Sequence, residues 1–440
     1  MFGLQYNTLL VIAGTGLLGL SAGVIGAFAV LRRRALMGDA LSHAALPGLC
    51  IAFMLYGERN FLVFMIGAVI SGVIGVLCVS LLRHHTRIKE DAAIGLVLSV
   101  FYGAGIVLLS IIQRQRNGQQ AGLESYLFGQ TASMVMQDLA TIIGVTLLTL
   151  LILLLFYKEF KILSFDREFA AVQGWPTLFL DLAMMVLLVI TTVAGLPAVG
   201  VVLMAALLII PGVSARFWTD RLDKLLLLAG LFGLLSGVIG TLLSDKLDDL
   251  PAGPVIVLSG SIIFFLSMLF APRRGVISRV LQHLALRGRV ARQNLLRSFY
   301  ELSEPDLPAL KTVSTEALVH HRGWTLGEVK RLLNSAQAEK QIEPVGASDA
   351  HQWRLTAAGL SAAADVVRVH RLWEIFLIEH ADIAPDHVDR DADQIEHILS
   401  PELIARLESH LFNAGRWPKA AVPASPHKID AGVMSAKESA

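Results

Sequence analysis

Cysteine is nearly absent: the 440 residues contain two, Cys50 and Cys78, both inside apolar runs. Two such thiols exclude a disulfide-stapled fold and a thiolate zinc cage, and they make redox chemistry an unpromising reading. Charge is scarce as well, since Asp, Glu, Lys and Arg together make up 17% of the chain against 54% hydrophobic residues. At a mean hydropathy of +0.62, disorder is excluded and a purely soluble body nearly so. Net charge is also missing. The 37 basic and 36 acidic side chains leave +1, so no bulk cationic field recruits nucleic acid. No GxxxxGK[ST] segment occurs, so the chain does not cradle nucleotide phosphates by that loop. The start MFGLQYNTLLVIAGTG lacks a basic n-region and a small-residue cleavage site, and it reads as a retained span.

What the chain has is long apolar runs, near 8–31, 35–57, 61–82, 92–112, 138–157, 177–195, 196–215, 225–244 and 254–271. At about 1.5 Å per residue each can cross a hydrocarbon core of about 30 Å. The pattern predicts an all-α membrane body of about nine transmembrane helices, the sixth and seventh joined by a tight turn at Gly195-Leu196-Pro197. Orientation follows from Lys and Arg, which stay in the cytoplasm. With alternating spans, fourteen fall on one side (Arg32 to Arg34, Arg83, Arg87, Lys89, Lys158, Lys161, Arg167, Arg216, Arg221, Lys224, Arg273, Arg274). Only Arg59, Arg114, Arg116 and Lys246 fall on the other. The N-terminus is therefore expected outside and the last span ends in the cytoplasm. Residues 276–440 carry 19 basic and 21 acidic side chains and read as an aqueous unit. The expected division is a membrane domain at 1–275, a cytoplasmic domain at 276–410, and a tail at 411–440, rich in Ala, Pro, Ser and Lys, that reads as mostly disordered. Residues 119–136, partly apolar and glycine-punctuated, read as a short re-entrant or interfacial helix outside.

The second run opens MGDALSHAALPG, which sets Asp39 and His43 one turn apart on one helix face. An uncompensated Asp near a span centre costs roughly 2.5–3.5 kcal/mol, so it is normally paired or lines a hydrated path. One hard oxygen donor and one borderline nitrogen suit first-row divalent ions such as Mn²⁺ or Zn²⁺. Spacing alone leaves a second reading open: Asp39 bonded to a neighbouring helix and His43 a satisfied core histidine. Asp181 reads as a structural partner, Glu90 and Asp91 as dipole-complementing first-turn acids, and Met184 and Met185 as packing rather than soft ligands. In the connector SFDREFAAVQGWP (164–176), Ser164 is expected to cap a short helix whose Phe165, Phe169 and Val172 share an apolar side while Arg167 and Glu168 face solvent. Such a helix either docks a partner or rests on lipid.

These segments, with KEDAAIG at 89–95, LPAVGVVLMAALLIIPGVSAR at 196–216 and LPAGPVIVL at 250–258, resemble the permease subunit of manganese/zinc/iron ATP-binding-cassette importers over nearly all of residues 1–275. The resemblance implies a homodimeric membrane core in a bacterial plasma membrane, an ATP-binding subunit on each cytoplasmic loop and an extracellular metal-binding protein. It implies that Asp39 and His43 form the transport site for Mn²⁺, Zn²⁺ or Fe²⁺, with no permanently bound cofactor. It further implies that Ser164, Phe165, Asp166, Arg167, Glu168, Phe169 and Gly174 belong to the ATPase-coupling loop.

In the aqueous unit, VSTEALVHHRGW and TLGEVKRLLNSAQAEKQ flank a turn at Gly323 and precede a segment ending HQWRLTAAG, which predicts a helix-turn-helix with a small wing. The second helix offers Lys330, Arg331, Asn334, Gln337 and Lys340, diluted by Glu328 and Glu339, so protein contact rather than DNA is expected. Further on, His370 and Glu374 stand one turn apart, as do Asp393, Glu396 and His397, a set able to close on one ion or to be a solvated acidic surface. Residues 294–410 resemble the diphtheria-toxin-repressor-like, iron- and manganese-dependent regulators. That resemblance implies a helical metal-sensing and dimerisation domain with a regulatory Mn²⁺ or Fe²⁺ at those five residues. It departs from the pattern at Asn294 and Arg297, where manganese-type members carry carboxylates, and at Asp389, beside His387, where iron-type members place a histidine. The expected function is an importer permease whose cytoplasmic domain senses metal. The rival is a membrane-tethered, metal-responsive DNA-binding regulator, and a third reading makes the domain a dimerising scaffold.

Overall fold

The computed structural model describes residues 6–56, 61–114, 129, 131–247, 250–304, 311–346, 352–380, 401–413 and 422–423. It divides into two units, Met1–Val280 and Leu281–Ala440.

The first unit is built of helices α1 (Tyr6–Leu31), α2 (Met37–Tyr56), α3 (Phe61–His85), α4 (Glu90–Arg114) and α5 (Met136–Leu155). Two short helices follow, α6 (Tyr157–Phe165) and α7 (Arg167–Val172), and then α8 (Thr177–Trp218), α9 (Leu222–Lys246) and α10 (Ala252–Phe270). Eight of these, all but α6 and α7, are long and apolar enough to cross a membrane among the described residues. The 42-residue α8 would extend about 63 Å if straight, twice a hydrocarbon core. It is not straight. Gly200 takes φ 79 and ψ 170, a region open essentially to glycine, and reverses the chain there. A Cβ on Gly195 would stand 2.5 Å from Met204 Sδ, a contact that residues nine apart on one straight helix cannot make. Each half is close to the length of a separate crossing, which among the described residues accords with the expected count of about nine. The expected turn at Gly195-Leu196-Pro197 is corrected to Gly200, because the backbone stays helical through Gly195 and leaves the helix at Gly200, at a φ and ψ that only glycine readily adopts.

Inside lipid, apolar burial does little to hold helices together, so close backbone approach takes over. Gly19 of α1 meets Gly233 of α9, and Gly23 meets Ala229, so any side chain there would collide with backbone. The same seam holds a Thr15–Thr241 hydroxyl pair at 3.0 Å. Gly48 of α2 meets Gly67 of α3, and Ser71 Oγ donates to the Ala44 carbonyl at 2.7 Å across that contact.

The second unit takes in most of α11 (Val276–Ser303), then β1 (Val313–Ser314), α12 (Thr315–Arg322), α13 (Leu326–Ala338), β2 (Ile342–Pro344), β3 (Gln352–Leu355), α14 (Ala357–His380) and α15 (Pro401–Asn413). Its antiparallel sheet has order β1-β3-β2, with Val313 opposite Trp353 and Ile342 opposite Leu355. Gly323 ends α12 at φ 67, and a Thr325–Glu328 capping box starts α13, which is the helix-turn-helix with its wing. Leu295, Phe299, Leu318, Val329, Leu333, Leu355 and Val367 form the core. Each such side chain contributes roughly 1.5–3 kcal/mol by leaving water.

Candidate functional site

The start of α2 is set by a buried ionic cluster. The α1–α2 link turns through Arg33 at φ 60, a conformation costing a non-glycine residue roughly 1–2 kcal/mol. Its neighbours hold it. Arg34 Nη1 donates to Asp181 Oδ1 of α8 at 2.6 Å, Arg32 pairs with the same carboxylate, and Arg34 pairs with Glu90 at the start of α4. Arg83, near the end of α3, lies 3.5 Å from Glu90 and 3.9 Å from Asp181. Asp181 is thus the structural partner that was expected, and Glu90 does more than complement a dipole. Met184 lies against Arg32, its sulfur 3.8 Å from Nη1, and both Met184 and Met185 are buried as packing groups.

From that fixed start, the first two turns of α2 present Asp39 and His43 together. His43 Nε2 is 3.6 Å from Asp39 Oδ1, and their side chains remain 23% and 42% exposed. The spacing at i and i+4 produces this directly. Tertiary contact supplies the rest. Tyr102 of α4 sets its ring edge-on to His43 at 4.8 Å and 77°, which fixes the imidazole plane. His43 Nδ1 is buried and has no hydrogen-bond partner among the described residues. Pro47, inside α2, has no N–H, so the His43 carbonyl four residues earlier loses its helical donor. Tyr102 had no local signal in the sequence. Pro47 had one, a proline four residues after the histidine.

The connector folds as α6 and α7. Asp166, not Ser164, is the cap: Asp166 Oδ1 accepts from Phe169 N at 2.8 Å, while Ser164 Oγ donates back to the Phe160 carbonyl at 2.7 Å. Aspartate at that extended residue can reach the free N–H of the next turn, whereas Ser164 is already inside α6. Phe165, Phe169 and Val172 are exposed, Val172 by 87%. Gly174 closes the connector at φ 82.

In the second unit, His370 and Glu374 are fully buried on α14, with Nε2 3.2 Å from Glu374 Oε1. Arg297 of α11 donates from Nη1 to His370 Nδ1 at 2.9 Å and from Nε to Glu301 Oε1 at 2.5 Å. A guanidinium only donates, so Nδ1 accepts and the ring proton sits on Nε2, facing Glu374. A neutral imidazole so arranged has no lone pair left for an ion. The His370–Glu374 pair therefore does not fit a divalent cation while Arg297 holds it, and no cluster of three or more metal-ligand side chains occurs among the described residues. Asp393, Glu396, His397, Asp389 and His387 lie outside the described residues. Lys330, Arg331, Asn334, Gln337 and Lys340 are exposed on and just beyond α13.

With this geometry in place, comparison with known proteins is direct. Residues 5–271 match the family model "ABC 3 transport family", and residues 356–420 match "Iron dependent repressor, metal binding and dimerisation domain". The chain is 39% identical over 414 residues to the manganese transport system membrane protein MntC of Bacillus subtilis, covering 94% of this chain and 93% of that one. It is 43% identical over 273 residues to the zinc transport system membrane protein TroC of Treponema pallidum, covering 62% and 92%. Among solved structures it is similar to PsaBC from Streptococcus pneumoniae in complex with Fab, at 31% identity and TM-score 0.55, covering 63% of this chain and 95% of that chain.

Proposed function

The chain belongs to the ABC 3 transport family, and from that premise we propose that it is the permease subunit of an ATP-driven importer of divalent transition metal ions, Mn²⁺ first, with Zn²⁺ and Fe²⁺ within its chemistry. It is a multi-pass membrane transport protein and not a catalytic enzyme. The single observation that carries the ion-binding reading is the Asp39–His43 pair, a carboxylate and an imidazole 3.6 Å apart, partly exposed at the start of a span. A carboxylate with a borderline nitrogen suits these ions, and few donors from one chain suit brief residence during passage. The open side of the pair is where a second copy of this chain would complete the coordination, so the working unit is a homodimer. Preference for Mn²⁺ rests on the names of relatives: the manganese system matches over 94% of this chain and the zinc system over 62%.

Energy comes from a separate ATP-binding chain, because this one has no phosphate-cradling loop. That subunit docks on α6 and α7, where Phe165 and Phe169 stand exposed beside the Asp166 cap. An extracellular metal-binding protein delivers the ion. The second unit regulates transport according to internal metal, in keeping with the domain model it matches.

The decisive experiment is radiolabelled Mn²⁺ uptake by the assembled importer carrying Asp39→Ala or His43→Ala. Loss of uptake or a weakened apparent affinity is expected for each. Unaltered uptake and affinity in both variants would remove the site. For the regulatory reading, transport with and without residues 276–440 is compared across internal metal levels, and identical inhibition curves would overturn it.

A further inference from the structure

Between Asp249 and Glu301 the chain has no acidic residue but seven arginines, at 273, 274, 279, 287, 289, 292 and 297. The segment begins where the last membrane helix ends. α10 stops at Phe270, and α11 starts six residues later. Arg273 and Arg274 pin that junction to Asp220, in the α8–α9 link, at 3.2 and 2.5 Å. Asp220 sits two residues beyond the end of α8, so the junction is held at the membrane unit's own edge.

From there, the first turns of α11 carry Ile277, Val280, Leu281 and Leu284, spaced i, i+3, i+4 and i+7 and therefore on one face. All four are exposed, by 42%, 51%, 61% and 57%. Four large aliphatic side chains in a row would be an aggregation liability on a face bathed in water. At about 100° per residue, Arg279 and Arg289 lie on the side opposite this face and Arg287 flanks it. An apolar stripe under a basic upper face is the pattern of a helix lying in the headgroup region, with its side chains in the upper acyl layer. Anionic headgroups add attraction for each arginine held near the surface.

We propose that the N-terminal half of α11 is a membrane-surface helix, its Ile277–Leu284 face buried in the cytoplasmic leaflet and its arginines bound to anionic lipid phosphates. The membrane is favoured over a protein as occupant by the one-signed charge and by the helix starting at the bilayer edge. The contacts of this helix are independent of the Asp39–His43 site.

The test uses the full chain in lipid nanodiscs, with Cys50→Ala and Cys78→Ala, and spin labels placed singly at Val280→Cys, Leu284→Cys or Gln282→Cys. Collision with oxygen reports lipid, and collision with a water-soluble nickel chelate reports water. In discs containing phosphatidylglycerol, labels at 280 and 284 are expected to be oxygen-accessible and nickel-protected, with the reverse at 282. Each arginine near an anionic surface is worth about fivefold in partitioning. Arg279→Glu, Arg287→Glu and Arg289→Glu together should therefore lower the oxygen-to-nickel ratio at 280 and 284 at least tenfold. Nickel access at 280 and 284 would overturn the proposal in favour of a solvated helix. Protection from both reagents would overturn it in favour of a protein cover, whether the ATP-binding chain or a second copy. Equal immersion in discs of phosphatidylcholine alone would overturn the role of anionic headgroups.

Discussion

Glu301 gives the second unit a stability that acid should remove on a calculable schedule. Its side chain is 9% exposed, its Oε1 accepts from Arg297 Nε at 2.5 Å, and its Oε2 accepts from His321 Nε2 at 3.0 Å. Burial pushes the carboxyl up, but the His321 hydrogen bond and the charge and hydrogen bond of Arg297 outweigh it and hold it at about 2, against an ordinary 4.5. The difference corresponds to ~3 kcal/mol, at about 1.4 kcal/mol for each tenfold change in proton activity. A carboxyl that is more acidic in the folded state contributes fully above its unfolded value, so the contribution is whole above about pH 4.5 and is lost as pH falls to about 2. Glu301→Gln removes the titrating group. The stability gap between wild type and variant should therefore shrink by ~3 kcal/mol over that window, at about 1.4 kcal/mol per pH unit. Denaturant unfolding of the full chain in detergent measures it, followed by fluorescence of Trp324 and Trp353, which pack against this core. A gap that stays constant from pH 5 to pH 2 would refute the reasoning, because the carboxylate would then have no preferential tie to its two partners.

Asp181→Ala leaves Arg32 and Arg34 buried without their shared carboxylate. Loss of about 3–5 kcal/mol is expected, partly recovered by adding Arg34→Met. Thermal denaturation in detergent checks it, and a loss under about 1 kcal/mol would show the cluster to be hydrated. Gly200→Ala forces φ 79 on a residue with a Cβ and should cost about 1–3 kcal/mol. Gly195→Ala should also destabilise, by displacing Met204. If Gly200→Ala is silent while Gly195→Ala is damaging, the reversal is at the wrong residue. Phe169→Ser with Val172→Ser alters two exposed side chains, so the melting behaviour should move by no more than about 0.5 kcal/mol, whereas co-purification of the ATP-binding chain should fall at least tenfold. Undiminished co-purification would place the docking surface elsewhere.

The sequence held more of the membrane unit than of the second one. Hydropathy alone located the crossings, since a span must be about 20 apolar residues long whatever it packs against. The i, i+4 rule put Asp39 and His43 on one face, and turn chemistry marked Gly323. Those are properties of the chain within one or two turns, and they survive in any tertiary context. Where the signal was ambiguous locally, the reading slipped. Gly195-Leu196-Pro197 looks like a turn, yet α8 continues through it to Gly200, because composition does not settle which glycine leaves the helix. Ser164 and Asp166 are both cap-forming residues, and the choice between them depended on where α6 ended.

What the sequence determined by itself is the membrane class, the long apolar spans, the winged helix and the identity of the candidate ion-binding pair, all carried by period, length and short spacing. Only the tertiary structure decided that Tyr102 steadies His43, that Asp181 gathers Arg32 and Arg34, and that Arg297 occupies His370. Those partners are separated by 59, 147 and 73 positions or more, and no local rule reaches across such distances. They meet because close-packed glycine seams and an apolar core bring their helices together, and a buried charge or imidazole then takes whichever partner the packing supplies.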